Sequence, residues 1–242
     1  MSLKSIFSDL RSPGLLGKKP IIGFMLFIFG AVVFTILAYN LVNNGPLIQL
    51  DLSIAKYFYT LALDSPKWII DVMVLSYYAG LQGTGLIEIL IGLYFLYKRF
   101  WKETVIAVVS LGGAGLLFLF LSNIFMRPRP FLLFDELIWS GGPNIPGFPS
   151  GHTLHIMVLG IFLVYLLWPK IKSYLGRTLL ISITSLIIIF MGLSRIYVGD
   201  HYLTDVVAGY AVGIAWFALA CTTIEWLFQR YNLRKEKAMR EL

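Results

Sequence analysis

The sequence predicts an all-α, polytopic membrane protein: one bundle of six transmembrane helices, with interfacial helices between the first and second spans. Three observations lead there. Hydrophobic residues make up 58% of the 242 residues and charged residues only 14%, too few charges to cover a soluble globule of this size. Apolar runs of spanning or near-spanning length recur along the chain. Lysine and arginine gather at the ends of these runs, the pattern that sets membrane orientation.

The apolar runs lie at about 21–43, 84–98, 104–125, 153–168, 178–195 and 203–228. A helix crossing the hydrocarbon core needs roughly 20 residues, so the second and fourth runs are expected to extend a turn beyond their apolar part. The segment before the first run carries Lys4, Asp9, Arg11, Lys18 and Lys19. It shows no small-residue cleavage site, so the first run reads as a retained helix and not a cleaved leader. Residues 46–82 are apolar but broken by Asp51, Lys56, Asp64, Pro66, Lys67 and Asp71. They predict two helices at the interface or dipping into it, with a seventh span through 67–82 as the alternative. The chain thus divides into a cytoplasmic segment 1–20, one transmembrane domain 21–228 and a basic cytoplasmic tail 229–242.

Orientation follows from the positive charges. With six spans and the N-terminus inside, fifteen of the twenty lysines and arginines fall on the cytoplasmic side. The five outside are Lys56, Lys67, Arg127, Arg129 and Arg195. The net charge of +7 therefore reads as topology, and no nucleic-acid partner is expected. A single cysteine, Cys221, excludes an internal disulfide and a cysteine-rich metal site. The run Gly112-Gly-Ala-Gly115 would let helices approach closely, within one bundle or between two.

Three clusters border these apolar runs: Arg127-Pro-Arg-Pro130, Pro149-Ser-Gly-His152, and Ser194-Arg195 with His201 and Asp205. Ionisable groups at the edge of a bilayer are expensive and mark functional sites. In the predicted topology all three fall at the outer ends of spans, so residues distant in sequence share one level of the membrane. Pro149-Ser-Gly-His152 opens the fourth span, where first-turn N–H groups and the helix dipole favour an anion. Ser150 adds a hydroxyl, with a helix cap as its bland alternative, and His152 an imidazole. His201 and Asp205, four apart, are expected one helical turn apart, the carboxylate fixing the ring's tautomer and freeing its other nitrogen for chemistry. Arg129 and Arg127 lie in a proline-stiffened exit from the third span, and an arginine fork suits phosphate. For Arg127, an interfacial anchor is the equal alternative. His155 reads as a packing histidine, Glu88 as a partner of a site arginine, and Glu225 as a partner of the basic tail.

Arg-Pro, Pro-Ser-Gly-His and Ser-Arg-x5-His-x3-Asp, in this order, resemble the signature of the type 2 phosphatidic acid phosphatase and vanadium haloperoxidase superfamily, over roughly residues 84–228. The resemblance implies a six-helix bundle with its site at the outer face of the plasma membrane and both termini cytoplasmic. It also implies catalysis by His201 as the phosphorus nucleophile, Asp205 as its orienting carboxylate and His152 as acid and base. Arg129, Arg195, Ser150 and the Gly151 N–H would hold the phosphoryl oxygens. No metal or cofactor is implied, and the expected partner is a membrane lipid substrate: phosphatidic acid, phosphatidylglycerol phosphate or undecaprenyl diphosphate. One position departs from the pattern. The family's lysine, seven residues before the arginine of the final Arg-Pro, is Ser122 here. Arg127 and Ser122 are the substitutes at hand, and a lipid-linked phosphotransferase or a non-catalytic lipid-binding protein are the alternative readings.

Overall fold

Pro66 and the two residues before it interrupt the chain where the sequence is most broken, but nothing interrupts it for the next thirty residues. In the computed structural model, which describes residues 15–134, 138 and 146–240, helix α1 (Pro20–Val42) is followed by α2 (Leu47–Leu63). Helix α3 (Lys67–Tyr78) then runs through a π turn, Ala79–Gly83, into α4 (Thr84–Tyr97). The expected boundary near residue 84 is therefore not a break. Asp71 stays exposed on the surface, and the π turn absorbs Gly80 and Gly83 without ending the helix. Helix α5 (Trp101–Ala107) passes through a second π turn, Val108–Gly112, into α6 (Gly113–Phe125). A 3₁₀ turn (Pro130–Leu133), α7 (Gly151–Leu167), α8 (Tyr174–Tyr197) and α9 (Leu203–Arg240) complete the fold. Among the described residues there is no strand. The expected N-terminal segment, up to residue 14, and most of the stretch from 135 to 145 lie outside the described residues.

Among the described residues four stretches are long and apolar enough to cross a membrane: Pro20–Val42, Trp101–Leu133, Tyr174–Tyr197 and Leu203–Arg240. Thr84–Tyr97 and Gly151–Leu167 are apolar but shorter. Helix α1 turns Phe24, Phe29 and Ile36 outward and buries only Gly23 and Gly30, the face it lays on α9. Outward apolar side chains of this kind are what lipid solvates.

Helix α7 is the opposite case: apolar around its whole circumference, it is buried on nearly every side. Leu154, Val158 and Phe162 join Phe95, Ile106 and Phe217 in the core between α4, α5, α7 and α9. Cys221 lies in the same core, fully buried. Within the run Gly112–Gly115, Gly113 packs inside this bundle, with Trp216 of α9 directly over it, while Gly112 is exposed. The π turn leaves backbone carbonyls outside the regular ladder, and the Trp216 indole N–H donates to those of Val109 (3.2 Å) and Ser110 (3.0 Å).

At the end of the bundle where α7 finishes, Glu225 is buried and accepts a hydrogen bond from the Tyr165 hydroxyl. Its Oε1 also lies 3.5 Å from Lys102 Nζ. Both of these partners come from the bundle, Lys102 from α5 and Tyr165 from α7. At residue 225, α9 still runs within the bundle, whereas Arg230 and Arg234 sit on exposed turns of its continuation. Glu225→Ala removes the acceptor of Tyr165 and one carboxylate of Lys102 from a water-poor site. It is expected to cost about 1–3 kcal/mol, read as a lower Tm in detergent; an unchanged Tm would show the cluster to be energetically idle.

Candidate active site

The three clusters meet at the end of the bundle where α7 begins, and backbone bonds stitch them together. Helix α6 closes on Met126 in the left-handed region (φ 47°), which turns Arg127 back over the bundle. The Arg127 carbonyl accepts from the Gly147 N–H (2.7 Å), and the Asp205 carbonyl accepts from the Ser150 N–H (3.0 Å). After α8, Gly199 takes φ +72°, open to glycine at little cost, and its carbonyl accepts from the Phe131 N–H (3.0 Å). Arg127, Arg129, Ser150, His152, Arg195, Asp200, His201 and Asp205 are all buried.

His201 does not share a helix with Asp205. Helix α9 starts only at Leu203, so the expected one-turn spacing does not apply. His201 Nδ1 stands 3.8 Å from Asp205 Oδ2, and instead lies 2.8 Å from the Gly147 carbonyl oxygen. A carbonyl can only accept, so Nδ1 carries a proton, and in the neutral ring Nε2 keeps its lone pair. Asp205 is the third residue of α9, and its carboxylate accepts from the Tyr202 N–H (2.8 Å). That is half of a capping box, holding the helix start that positions His201.

His152 occupies the first turn of α7. Its ring centroid is 6.1 Å from that of His201 and 4.7 Å from that of Tyr77. Gly80, in the first π turn, permits this: a Cβ there would stand 2.7 Å from His152 Cδ2. Ser150 precedes α7 as its cap residue, but its side chain makes no capping bond.

The three arginines have three different settings. Arg195 is seated by α3: its Nη2 donates to the Met73 carbonyl and the Ser76 hydroxyl, both at 2.6 Å. Arg129 donates to Asp200 Oδ1, and Arg195 Nη1 approaches Asp200 Oδ2 to 3.7 Å. Arg127, a candidate for phosphate, is engaged elsewhere. It binds Asp205 Oδ1 (2.5 Å), the Thr204 hydroxyl (2.8 Å) and Asp51 Oδ2 (2.7 Å). Asp51 comes from α2, an element expected to lie at the interface, and it accepts in turn from the Thr204 N–H (3.0 Å) and hydroxyl (2.5 Å). Ser122 is buried in α6 with its hydroxyl turned back onto the Leu119 carbonyl (3.2 Å), as serines inside helices do. Glu88 meets no site arginine; it lies 3.2 Å from His155 Nδ1, one turn further along α7 from His152.

Sequence reasoning missed Asp51, Met73, Ser76, Tyr77, Gly80, Gly147 and Asp200. Only Asp200 carried a signal, as a carboxylate between Gly199 and His201 in a cluster already rich in cations. Burial works against its charge, but His201, Arg129, His152 and Arg195 outweigh that and hold it below the usual carboxylate range. Ligand atoms of His152, Asp200 and His201 lie within 4.8 Å of one another, a spacing that could take a metal. Two guanidiniums at the same carboxylate favour an anion there over a divalent cation.

Among the described residues nine buried side-chain atoms have no hydrogen-bond partner, and five of them fall in the site: Ser150 Oγ, His152 Nε2, Arg195 Nη1, Asp200 Oδ2 and His201 Nε2. Buried polar atoms are normally paired, so such a concentration in three adjoining clusters is the mark of a binding site. The arrangement offers a nucleophilic imidazole nitrogen, a second imidazole for proton transfer and two guanidiniums for an anion.

Arg127→Gln would leave Asp51 and Asp205 facing one another in a buried setting without their shared cation. It is expected to destabilise by about 3–5 kcal/mol. Asp51→Asn, which keeps an acceptor for Thr204, is expected to cost less. Thermal unfolding of both variants in detergent checks this, and an Arg127→Gln variant as stable as the parent would refute it.

The family model of the PAP2 superfamily matches residues 103–229. Phosphatidylglycerophosphatase B of Bacillus subtilis is 30% identical over 129 residues, 52% of this chain and 59% of that protein. A lipid A 1-phosphatase of Rhizobium johnstonii is 30% identical over 168 residues, 63% of this chain and 59% of that one. The chain thus spans less than two thirds of the length of these curated relatives. The crystal structure of a transmembrane PAP2-type phosphatidylglycerolphosphate phosphatase from Bacillus subtilis superposes with a TM-score of 0.62 at 28% identity, covering 82% of this chain and 93% of that one. With the three clusters gathered at one end of an apolar helical bundle and more than half of its length matched, the chain belongs to the PAP2 superfamily.

Proposed function

We propose that the protein is a metal-independent membrane lipid phosphatase that removes a terminal phosphate from a lipid phosphate or diphosphate through a phosphohistidine. One observation carries the reading. His201 has its ring proton committed to the Gly147 carbonyl, and its unpartnered Nε2 lies 3.6 Å from Asp200 Oδ2, the carboxylate that Arg129 and Arg195 flank, with the His152 ring 6.1 Å from its own between centroids and the Nε2 of His152 likewise unpartnered. His201 Nε2 attacks phosphorus, and the phosphoryl oxygens are held by Arg129, Arg195, the Ser150 hydroxyl and the Gly151 N–H. Protonated His152 gives its proton to the departing lipid oxygen. It then accepts one from the water that cleaves the phosphorus–nitrogen bond, releasing inorganic phosphate and regenerating both imidazoles. Asp205 acts through the helix start, and Arg127 through Asp205.

The shorter apolar helices Thr84–Tyr97 and Gly151–Leu167, added to the four longer ones, make six spans. In that topology both termini are cytoplasmic and the site lies at the outer face of the plasma membrane, open to lipid headgroups. Phosphatidic acid, phosphatidylglycerol phosphate and undecaprenyl diphosphate are the candidate substrates. The names of the Bacillus subtilis relatives favour the second. Transfer to an acceptor other than water would use the same intermediate, and the products tell the two apart.

The test is phosphate release from these three lipids by protein purified in detergent, with EDTA present. Release is expected to survive EDTA and to be abolished by His201→Ala. Arg129→Ala and Arg195→Ala are each expected to lower kcat by about 10²–10³-fold, as loss of a charge-stabilising donor does. Full activity in His201→Ala would end the phosphohistidine reading. A phosphorylated acceptor in place of free phosphate would make the protein a transferase.

A further inference from the structure

Asp200 has no part in the chemistry above, yet it occupies the centre of the site. It is fully buried. One oxygen accepts from Arg129; the other lies 3.7 Å from Arg195 Nη1 and 3.6 Å from His201 Nε2, and has no hydrogen-bond partner. A phosphorus atom under attack by His201 must come to about 3–3.5 Å from that nitrogen, and its oxygens must reach the same two guanidiniums. The carboxylate stands where a phosphoryl group would have to stand. Its backbone is pinned, because the Asp200 and His201 N–H groups both donate to the Arg195 carbonyl (2.9 and 3.2 Å). Only the side chain is free to turn aside.

We infer that Asp200 is a resident counter-anion of the phosphate cradle, an affinity-setting residue that holds Arg129 and Arg195 until substrate arrives, is displaced by the phosphoryl group, and returns to expel inorganic phosphate. The inference rests on the reading of this site as phosphate-binding, but not on hydrolysis. Buried guanidiniums call for counter-charge, and the Asp200 carboxylate, set against both of these, contributes to it when no ligand does. Two anions cannot share the arginines, so each phosphate that binds does so against Asp200. The consequence is weak ground-state binding and weak product inhibition, with binding energy reserved for the transition state.

The experiment is titration calorimetry of inorganic phosphate into the detergent-purified protein, comparing the parent with Asp200→Asn, Asp200→Ser and Arg195→Gln. Either Asp200 variant that remains monodisperse is expected to bind phosphate at least about tenfold more tightly than the parent, and Arg195→Gln more weakly. Affinity unchanged or lowered in the Asp200 variants would overturn the inference and make Asp200 a structural brace. A structure of the parent protein with orthovanadate needs no variant. It should show the carboxylate off Arg129, and a carboxylate still bonded there would overturn the inference too. The two proposals fail separately: tighter phosphate binding without lipid hydrolysis removes the hydrolase reading alone, and hydrolysis with unaltered phosphate affinity removes this one alone.

Discussion

A single guanidinium holds the site end of the bundle together. Arg127 stands between Asp51 of α2 and Asp205 of α9, and both carboxylates also satisfy N–H groups at the start of α9. Helix starts leave such donors unpaired, and burying them without acceptors is costly. Here the acceptors are themselves anionic, and they become tolerable in a dry setting only because one cation bridges them. The ring of Tyr202 lies 4.1 Å from the Arg127 guanidinium and closes its remaining side. The placement of His201 depends on this brace. His201 sits two residues before α9, so its ring goes where the helix start goes.

Rigidity elsewhere has the same purpose. Helix α7 is enclosed by core on nearly every side, so its first turn, with His152 and the cap residue Ser150, cannot shift without repacking Leu154 and its neighbours. Helix α3 gives Arg195 two acceptors from one helical turn, Met73 and Ser76. A guanidinium gripped from behind in this way presents its remaining edge in a fixed direction, and preorganised charge of this kind is what stabilises a transition state.

The apolar spans and the three clusters were legible in the sequence because both rest on local signals: runs of hydrophobic residues, and prolines, glycines and ionisable residues at their ends. The relations that proved harder were long-range. Asp51 lies in a segment whose charges suggested an interface, and nothing local says that α2 folds over the site. Met73 and Ser76 are ordinary helix residues until α8 packs on α3. The spacing of His201 and Asp205 misled for a different reason. A separation of four implies a shared face only if both residues are helical, and here the helix begins between them. Glu225 was read toward the tail because sequence proximity was the only guide, while the Tyr165 hydroxyl that binds it comes from α7.

Charge balance explains why the site can be buried at all, and which of its parts can move. Arg127, Arg129 and Arg195 face Asp51, Asp200 and Asp205, so without ligand the formal charges of these six cancel. The three carboxylates are not equivalent. Asp51 and Asp205 each accept from backbone N–H groups of α9 as well as from Arg127, and releasing either would unpair a helix start. Asp200 accepts no backbone bond through its side chain that would resist its leaving, and one of its oxygens has no hydrogen-bond partner. An incoming anion that must upset this neutrality will therefore upset it at Asp200. Arg129 and Arg195 both lie at the Asp200 carboxylate, so a phosphoryl group that takes them takes them from Asp200, and binding is an exchange of one anion for the other.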